Sequence, residues 1–298
     1  MSTTRCGLVA VLGPPNAGKS TLVNALVGQK VAIVTPKAGT TRTRLLGIAI
    51  EGDAQLLLVD TPGIFEGRGR LDRSMVQAAW SGTQGADVLA LVIDAKGGTG
   101  PRVTDIVDAL AERREAKLLV LNKVDVADKG RLLAHAARLN ERLAFDETFM
   151  VSATTGDGIA VLKRALAARM PEGPWHFPAD QVSDAPQRSL AAEITREQLT
   201  LQLHQELPAE SAVATERYVE RPDGAVEIHQ QILVERDSQR AIVLGKGGAR
   251  LKEIGSRARA ELATLLERRV HLYLHVKTAK GWRDDRGRYA ELGLDWVD

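Results

Sequence analysis

Residues 13–20 have the types and spacing of a loop that holds phosphate. The segment Gly13-Pro-Pro-Asn-Ala-Gly-Lys-Ser20 follows an apolar run and precedes an amphipathic stretch, so we expect it to join a strand to a helix. Glycines let backbone N–H groups surround phosphate oxygens, and the helix N-terminus adds a positive dipole end. Lys19 would contact the terminal phosphates and Ser20 would bind Mg²⁺. The predicted nucleotide contacts here are Gly13, Pro14, Pro15, Asn16, Ala17, Gly18, Lys19, Ser20 and Thr21.

The segment Asn122-Lys-Val-Asp125 also follows an apolar run, and it indicates which base is bound. The Asp125 carboxylate can accept hydrogen bonds from both N1–H and the 2-amino group of guanine. Adenine lacks that donor pair and would leave a buried charge unpaired. Asn122 would contact the base or tie loops together, and the stem of Lys123 would cover the base; a simple helix cap is the alternative. A backbone N–H of Ser152-Ala153, one strand later, is predicted to meet the guanine O6.

A third segment, Asp60-Thr-Pro-Gly63, supplies candidate metal and phosphate contacts at the end of another apolar run. Asp60 would hold Mg²⁺ through water, the Gly63 N–H would touch the γ phosphate, and Thr61 and Pro62 would lie against the nucleotide. The polar residues 35–43, called the switch loop below, suit a loop that a γ phosphate orders. Thr41 is the predicted Mg²⁺ ligand and Thr40 the second candidate, although either hydroxyl could simply face water. The predicted catalytic residues are Lys19, Thr41 and Gly63.

These segments need a scaffold that brings the ends of several strands together. Apolar runs without polar alternation are separated by helical patterns, which predicts an α/β domain with a mostly parallel sheet. Residues 45–50 are predicted to form an additional antiparallel edge strand. The runs that predict the other strands are Leu8–Leu12, Leu56–Val59, Val88–Ile93, Leu118–Leu121 and Phe149–Val151.

The second half of the chain has a different pattern. Four prolines within residues 171–188 predict a semi-rigid linker between domains at 5–170 and 189–298. An amphipathic stretch at 189–206 precedes two strand-like runs, 212–220 and 225–234, which a Pro-Asp-Gly turn joins. A helix over 249–267 and a strand over 270–276 follow. The sequence therefore predicts a separate α+β domain.

Between two predicted helices of this second domain lies Gly245-Lys-Gly-Gly248, a loop that can clamp a nucleic-acid backbone. Residues 236–283 contain twelve Lys or Arg against four Asp or Glu, on a chain whose net charge is only +2. Single-stranded RNA is the predicted ligand; an ordinary helix–helix turn, and a basic surface for a membrane or an acidic protein, are the alternatives. The predicted RNA contacts are Gly245, Lys246, Gly247, Gly248, Arg250 and Lys252.

Composition excludes several other classes. Cys6 is the only cysteine, so a disulfide within the chain and a cysteine-based zinc site are both excluded. A lone thiol suits a reducing compartment, and no apolar run approaches the roughly 20 residues of a membrane span, so a cytoplasmic location is expected.

The nucleotide segments, in this order, resemble the translation-factor-related class of small GTPases over the first 170 residues. Ras-like relatives have a water-orienting glutamine where this chain has Ile64. The resemblance therefore points to the branch with a hydrophobic residue there. In that branch the residue at Asn16 is often linked to a bound K⁺ that assists hydrolysis; a plain turn residue is the alternative.

The order of elements around Gly245–Gly248 resembles a type II KH domain. Together the two halves resemble the Era family of bacterial ribosome-assembly GTPases, with further matches at 37–42, 187–188, 232–236 and 281–282; Pro14 and Gly39 depart from the family pattern. The resemblance implies a GTP/GDP- and Mg²⁺-dependent switch that binds the 3′ end of 16S ribosomal RNA and acts on the small ribosomal subunit. It also implies peripheral association with the inner membrane, and we expect a monomer. A regulatory GTPase with a membrane or protein partner, and an RNA-binding module with a degenerate nucleotide site, are the competing hypotheses.

Overall fold

The computed structural model describes residues 3–37, 39–42, 44–66, 69–203, 207, 210–291 and 294–297. The chain divides into two compact units. The first comprises Met1–Ala32, Thr41–Asp184 and Val297–Asp298, and the second comprises Ile33–Thr40 and Ala185–Trp296.

The first unit contains a six-stranded sheet. The strands are β1 Arg5–Leu12, β2 Leu45–Glu51, β3 Ala54–Asp60, β4 Val88–Asp94, β5 Ala116–Asn122 and β6 Glu147–Met150. Their order in the sheet is β2-β3-β1-β4-β5-β6. Strand β2 is antiparallel to β3 at the edge, as predicted, and the other neighbouring pairs are parallel. The helices are α1 Lys19–Val27, α2 Arg70–Ser81, α3 Pro101–Ala111, α4 Lys129–Arg142 and α5 Ile159–Ala168.

The central strands of this sheet are buried on both faces. In β1, Val9 and Val11 belong to one hydrophobic cluster, and Ala10 and Leu12 belong to another. Because alternate side chains enter two apolar layers, the strand shows no alternation of polar and apolar residues. This burial fixes the carboxyl ends of β1, β3 and β5, where the candidate segments at 13–20, 60–63 and 122–125 lie.

The second unit has the predicted order of helix, two strands, two helices and a strand. The elements are α6 Gln187–Gln202, β7 Ala212–Glu220, β8 Val226–Val234, α7 Asp237–Leu244, α8 Ala249–Leu266 and β9 Val270–Thr278. The sheet has the order β7-β8-β9, with β7 antiparallel and β9 parallel to β8. Residues 204–206, the end of the predicted first helix, lie outside the described residues.

The turn between β7 and β8 has the chemistry that the sequence indicates. The Gly224 N–H donates to the Arg221 carbonyl at 3.0 Å, and the Arg221 N–H donates to the Ala225 carbonyl at 2.8 Å. Gly224 has a φ of 80°, which glycine adopts without steric cost.

The predicted linker differs from the observed division of the chain, because residues 171–184 pack within the first unit. The Cys6 N–H donates to the Pro171 carbonyl at 3.1 Å, and the Trp175 indole donates to the Asp53 carbonyl at 3.0 Å. Phe177 packs against a hydrophobic cluster that contains Leu57. The prolines do stop a helix, but the aromatic residues between them bury apolar surface on the sheet edge.

Among the described residues after β9 there are two further elements, and the sequence pattern predicts neither of them. A single 3₁₀ turn covers Trp282–Asp284, and helix α9 covers Arg286–Glu291. Trp282 is buried, and its indole donates to the Glu210 carbonyl at 3.2 Å. A short amphipathic segment of this kind has too few residues for a periodicity argument.

Candidate functional site

The loop at residues 13–20 is shaped by three residues with left-handed backbone. Gly13, Asn16 and Gly18 have φ values of 148°, 63° and 90°. A Cβ at position 13 would collide with the Val92 carbonyl, and one at position 18 would collide with the amide of Asn122. The two glycines are therefore required both by backbone angle and by space.

Lys19 opens helix α1 and is buried inside this loop. Its Nζ donates to the carbonyls of Gly13 at 3.2 Å and Pro14 at 3.0 Å. Burial lowers the pKa of Lys19 to about 8, and the nearby Asp60 charge opposes that shift. Its ammonium group therefore titrates close to neutral pH in the absence of a bound anion.

Three oxygen-bearing side chains from separate segments meet beside Lys19. The Ser20 hydroxyl donates to Asp60 Oδ2 at 2.6 Å and lies 2.8 Å from the Thr41 hydroxyl. The Thr41 hydroxyl also lies 3.5 Å from Asp60 Oδ2. The structure thus brings together the three residues predicted to hold Mg²⁺. Thr40, the second candidate, donates instead to the Lys37 carbonyl at 2.7 Å.

Asp60 supplies the carboxylate of this cluster, and the pKa of that group is raised. It is fully buried, and that burial raises its pKa to about 6 even though Ser20, Lys19 and Thr41 lower it. Its second oxygen, Oδ1, is buried without a hydrogen-bond partner among the described residues. An orphaned carboxylate oxygen of this kind is stabilised by a cation or by ordered water.

The segment that begins at Asp60 is joined to the loop at residues 13–20. The Thr61 hydroxyl donates to the Val11 carbonyl at 2.8 Å, and the Ile64 N–H donates to the Gly13 carbonyl at 3.0 Å. A Cβ on Gly63 would come within 2.8 Å of Pro15, so the close approach of the two backbones requires glycine. Pro62 is buried in the same place.

Ile64, at the position where a glutamine could orient water, faces the core. It belongs to a hydrophobic cluster with Leu12, Ala79 and Leu91. It also lines a cleft of about 950 Å³ bounded by Pro14, Pro15 and helix α3. Since its side chain can neither donate nor accept a hydrogen bond, it cannot hold an attacking water.

Asn122 ties three loops together, one of the two roles predicted for it. Its Nδ2 donates to the Ala17 carbonyl at 3.0 Å, and its Oδ1 accepts from the Ala153 N–H at 3.0 Å. The Ala153 N–H, one of the two backbone donors in the loop predicted to meet the guanine O6, therefore donates to Asn122. Ser152 is buried, and its hydroxyl accepts from the Thr155 N–H at 3.1 Å. A base contact by this loop remains a prediction.

Lys123, which has left-handed backbone, and Asp125 follow Asn122 after the end of β5. Lys123 has a φ of 66°, and its Nζ donates to the Asn16 carbonyl at 2.5 Å and to Asp94 at 2.8 Å. Asp94 ends β4 and is absent from the predicted site; a lone aspartate after a strand gives no signal in the sequence. Asp125 lies exposed in a 3₁₀ turn, Val124–Val126, where its carboxylate is open to a ligand.

Four of the predicted RNA contacts in the second unit, Gly245 to Gly248, form the turn between α7 and α8, and the other two, Arg250 and Lys252, lie in the first turn of α8. Gly245, Gly247 and Gly248 all have positive φ, at 71°, 60° and 79°. A Cβ on Gly245 would come within 2.7 Å of Arg250, whereas positions 247 and 248 face open space. Lys246, Arg250 and Lys252 are exposed, and the Arg250 guanidinium donates to the Ile242 carbonyl at 2.9 Å.

Two features are absent from the described part of the chain. No group of three or more His, Cys, Asp or Glu side chains could hold a metal there. No described helix is long and apolar enough to cross a membrane. Any cation at Asp60 would therefore be held by one carboxylate, hydroxyls and the groups of a bound ligand.

Comparison with known families matches the two halves of the chain separately. A family model described as a 50S ribosome-binding GTPase matches residues 8–123. A model described as a KH domain matches residues 206–283. The second match covers α7, the loop at 245–248, α8 and β9.

Curated relatives match almost the whole chain. GTPase Era of Erythrobacter litoralis (strain HTCC2594) is 57% identical over 298 residues, covering 99% of this chain and 98% of the relative. GTPase Era of Bradyrhizobium sp. (strain ORS 278) is 55% identical over 293 residues, covering 98% of this chain and 95% of the relative.

Solved structures agree with these matches. Era in complex with MgGDPNP and nucleotides 1506–1542 of 16S ribosomal RNA has a TM-score of 0.92 and 37% identity, and covers 97% of this chain and 99% of that chain. A variant of Aquifex aeolicus Era bound to GDP·AlF₄⁻ has the same TM-score, identity and coverage. The chain therefore belongs to the Era family of GTPases, with a P-loop GTPase domain followed by a KH domain, and it is a GTP hydrolase.

Proposed function

We propose that the protein is a GTP- and Mg²⁺-dependent switch that binds the 3′ region of 16S ribosomal RNA during assembly of the small ribosomal subunit. One observation carries the RNA part: an exposed loop with three left-handed glycines and Lys246 precedes helix α8. The nucleotide part rests on the cluster of Ser20, Thr41 and Asp60 beside Lys19. The glycine loop and the cluster beside Lys19 occur in one chain, and that chain belongs to the Era family.

The residues around Asp60 fit a hard divalent cation. All the donors are oxygens, as Mg²⁺ prefers, and the buried Oδ1 of Asp60 lacks a partner among the described residues. Ser20 and Thr41 would contribute hydroxyl oxygens and Asp60 a carboxylate. When bound, Mg²⁺ supplies positive charge to the β and γ phosphates.

The chain's own residues would bind and orient the triphosphate. Backbone N–H groups of the loop at 13–20 and the Lys19 ammonium surround its phosphates, and the Gly63 N–H stabilises the γ phosphate. Asp125 selects guanine through two hydrogen bonds, while Asn122 fixes the loops around the base. Ile64 holds no water, so intrinsic hydrolysis is expected to be slow.

The loop at 245–248 would bind RNA through its backbone. Glycine allows phosphates to approach closely, and the N-terminus of α8 attracts negative charge. Lys246, Arg250 and Lys252 add three positive charges on the exposed surface. A KH loop of this kind holds a short single-stranded segment, whose bases are then recognised on neighbouring surfaces.

The matched family model and one solved structure of the family suggest different ribosomal partners. The family model whose name mentions the 50S subunit covers residues 8–123 only. The solved relative that contains 16S ribosomal RNA matches 97% of this chain, including the KH domain. Since the KH domain is the predicted RNA-binding part, we take the full-length relative as the better guide and propose the small subunit as the partner.

The test combines Lys246→Asp with Gly247→Asp in the full-length protein. Binding of an RNA equivalent to 16S nucleotides 1506–1542, measured by fluorescence anisotropy, should be lost, because two negative charges stand where phosphate must approach. GTP hydrolysis of the same preparation should persist, because these residues lie outside the nucleotide site.

A matched neutral variant, Lys246→Gln with Gly247→Asn, separates charge from backbone. Asparagine tolerates the left-handed backbone about as well as aspartate, so the two variants differ mainly in charge. The neutral variant should bind more tightly than the acidic one and show a flatter salt dependence than the unmodified protein. Unchanged RNA affinity in the acidic variant would show that the basic segment serves another partner, such as a membrane or an acidic protein.

A further inference from the structure

The two oxygens of the Asp94 carboxylate have separate partners. Asp94 is the last residue of β4, where it pairs with Asn122 at the end of β5. Its Oδ1 accepts from the N–H groups of Lys96 at 2.9 Å and Gly97 at 3.2 Å, which closes the turn after the strand. Its Oδ2 accepts from the Lys123 ammonium at 2.8 Å. One oxygen therefore serves the local turn, and the other serves Lys123.

The Lys123 side chain is fixed at both ends. Its backbone has a φ of 66°, an uncommon value for a residue other than glycine. Its ammonium donates to the Asn16 carbonyl at 2.5 Å as well as to Asp94. Between these ends the stem passes the loop at residues 13–20, since a Cβ on Gly18 would lie 3.8 Å from the Lys123 Cε. Asp94 and the loop thus hold the stem along the predicted base site.

The ion pair between Asp94 and Lys123 is partly shielded from solvent. Their side chains are 29% and 33% exposed, so salt screens the pair less than it screens a fully exposed one. Burial raises the pKa of Asp94, but the hydrogen bond and charge of Lys123, with the two amide donors of the turn, outweigh burial and lower that pKa. The carboxylate is therefore ionised at neutral pH.

We propose that Asp94 is a positioning residue for guanine-nucleotide binding, which holds the Lys123 ammonium so that the lysine stem forms a fixed surface against the base. The inference rests on the proposed function, with guanine bound at Asp125 and the stem of Lys123 over the base. A side chain that the protein already holds loses little freedom when a ligand binds, so the ion pair raises nucleotide affinity.

The main variant is Asp94→Asn, which has nearly the same shape. The amide donors of Lys96 and Gly97 keep the asparagine oxygen in the turn, because both need an acceptor. The asparagine NH₂ then faces the Lys123 ammonium, which loses its acceptor. Dissociation of a fluorescent GDP analogue, measured by stopped flow, should become about ten-fold faster. Asparagine closes such turns as well as aspartate does, so unchanged dissociation would show that Asp94 serves only the turn and would overturn the proposal.

Asp108→Asn is the matched control in the same domain. Asp108 lies in α3 and accepts from the Arg142 guanidinium at 2.6 Å, outside every segment of the nucleotide site. The variant makes the same chemical change to another pair of an aspartate and a cation. GDP dissociation should stay within about two-fold of the unmodified protein, because an exposed pair contributes little. Equal acceleration in Asp94→Asn and Asp108→Asn would show a general loosening of the domain and would overturn the proposal.

Steady-state hydrolysis separates binding from chemistry. In Asp94→Asn the KM for GTP should rise about ten-fold while kcat falls less than about two-fold, since Ser20, Thr41 and Asp60 are untouched. A fall in kcat with an unchanged KM would overturn the proposal.

Inosine diphosphate shows which contact with the base is lost. Hypoxanthine presents a similar ring face to Lys123 but lacks the 2-amino group that Asp125 would bind. Asp94→Asn should therefore weaken binding of GDP and inosine diphosphate by the same factor. A larger loss for GDP would place the effect at Asp125 and would overturn the role of Lys123 in the proposal.

A double-mutant cycle with Lys123→Met distinguishes failure of this inference from failure of the proposed function. Methionine keeps an apolar stem and removes the ammonium, so Lys123→Met should also speed GDP dissociation. If Asp94 acts through Lys123, Asp94→Asn should add less than about two-fold in the Lys123→Met background. Full additivity, with Lys123→Met itself impaired, overturns the role of Asp94 alone. Normal dissociation in Lys123→Met overturns the proposed place of Lys123 over the base, and the role of Asp94 falls with it.

Discussion

The Ser20 hydroxyl donates a 2.6 Å hydrogen bond to Asp60 Oδ2, although Ser20 lies in the first turn of a helix and Asp60 ends a strand 40 positions later in the chain. The parallel pairing of β1 with β3 brings them together, because it aligns the carboxyl ends of both strands. The same hydroxyl lies 2.8 Å from Thr41. A single serine thus links the phosphate-binding loop to the switch loop.

The titration of Asp60 should make the effect of Mg²⁺ depend on pH. Its ordinary pKa is 3.8, and burial raises the pKa in the folded protein to about 6. The folded chain therefore binds a proton on the Asp60 carboxylate more tightly than the unfolded chain does. The stability that protonated Asp60 contributes is complete below 3.8 and is lost as the pH rises through about 6. A cation at the carboxylate should restore stability above that pH.

We therefore expect Mg²⁺, added with saturating GDP, to raise Tm more near neutral pH than near pH 5.5. At about pH 5.5 roughly a quarter of Asp60 is ionised, so the apparent Mg²⁺ affinity should be about four-fold weaker than at neutral pH. Thermal unfolding with Mg²⁺ or with EDTA gives the difference. The Asp60→Asn variant should lose this difference in Tm between Mg²⁺ and EDTA. An equal gain in Tm at both pH values would contradict the assignment of Asp60.

Lys19 should take up a proton when GTP binds. Burial lowers its pKa to about 8, and phosphate oxygens near the ammonium would raise that pKa again. At about pH 8.5 nearly three quarters of Lys19 is neutral in the free protein, so binding should take up close to that fraction of a proton. Calorimetry in buffers with different heats of ionisation measures the uptake. Lys19→Arg cannot titrate and should show none; equal uptake in that variant would place the proton elsewhere.

Asp125→Asn should change the preferred base from guanine to xanthine. The carboxylate accepts two hydrogen bonds from guanine, whereas the amide of asparagine presents a donor to one of them. GTP affinity should fall roughly 100-fold or more, because the amide N–H of asparagine would face a donor of the base. Xanthosine triphosphate, which has a carbonyl in place of the 2-amino group, should bind the variant better than the unmodified protein. Competition binding with both nucleotides checks this, and an unchanged preference for GTP would exclude Asp125 from base recognition.

Much of the nucleotide site is predictable because its residues lie in short local motifs. Gly13 and Gly18 are required by the local turn, and the runs Leu8–Leu12 and Leu56–Val59 fix where their strands end. Because strands and helices alternate along the chain, these strands are parallel. The motifs that follow them therefore meet at the carboxyl ends of the strands. The second domain is predictable for the same reason, since the hairpin turn and the glycine loop are local signals.

The contacts that tie segments together across long distances are not predictable in this way. Asp94 pairs with Lys123 at 2.8 Å, and Arg196 holds the Thr40 carbonyl across 156 positions. Each is a single polar residue on an otherwise ordinary strand or helix. Trp175 and Phe177, hidden among prolines, likewise pack on the first unit rather than in a linker. Only the folded arrangement gives such residues their partners.

Hydrolysis should be faster in K⁺ than in Na⁺ at equal ionic strength. Ile64 is buried and cannot orient water, and Asn16 lies exposed with its left-handed backbone at the mouth of the loop. A cation held there would add positive charge beside the phosphates, which we expect to raise kcat at least roughly three-fold. Rates at saturating GTP, measured in the two salts, test the effect.

Asn16→Gly is the variant that isolates the side chain in this test. Glycine adopts the φ of 63° without strain, so the loop keeps its shape while the amide oxygen is lost. Alanine would add backbone strain and confuse the two effects. The variant's rate in K⁺ should fall toward its rate in Na⁺. If the unmodified protein instead hydrolyses GTP equally fast in both salts, Asn16 is only a turn residue, and the charge or water-orienting group missing at Ile64 must come from an activating partner.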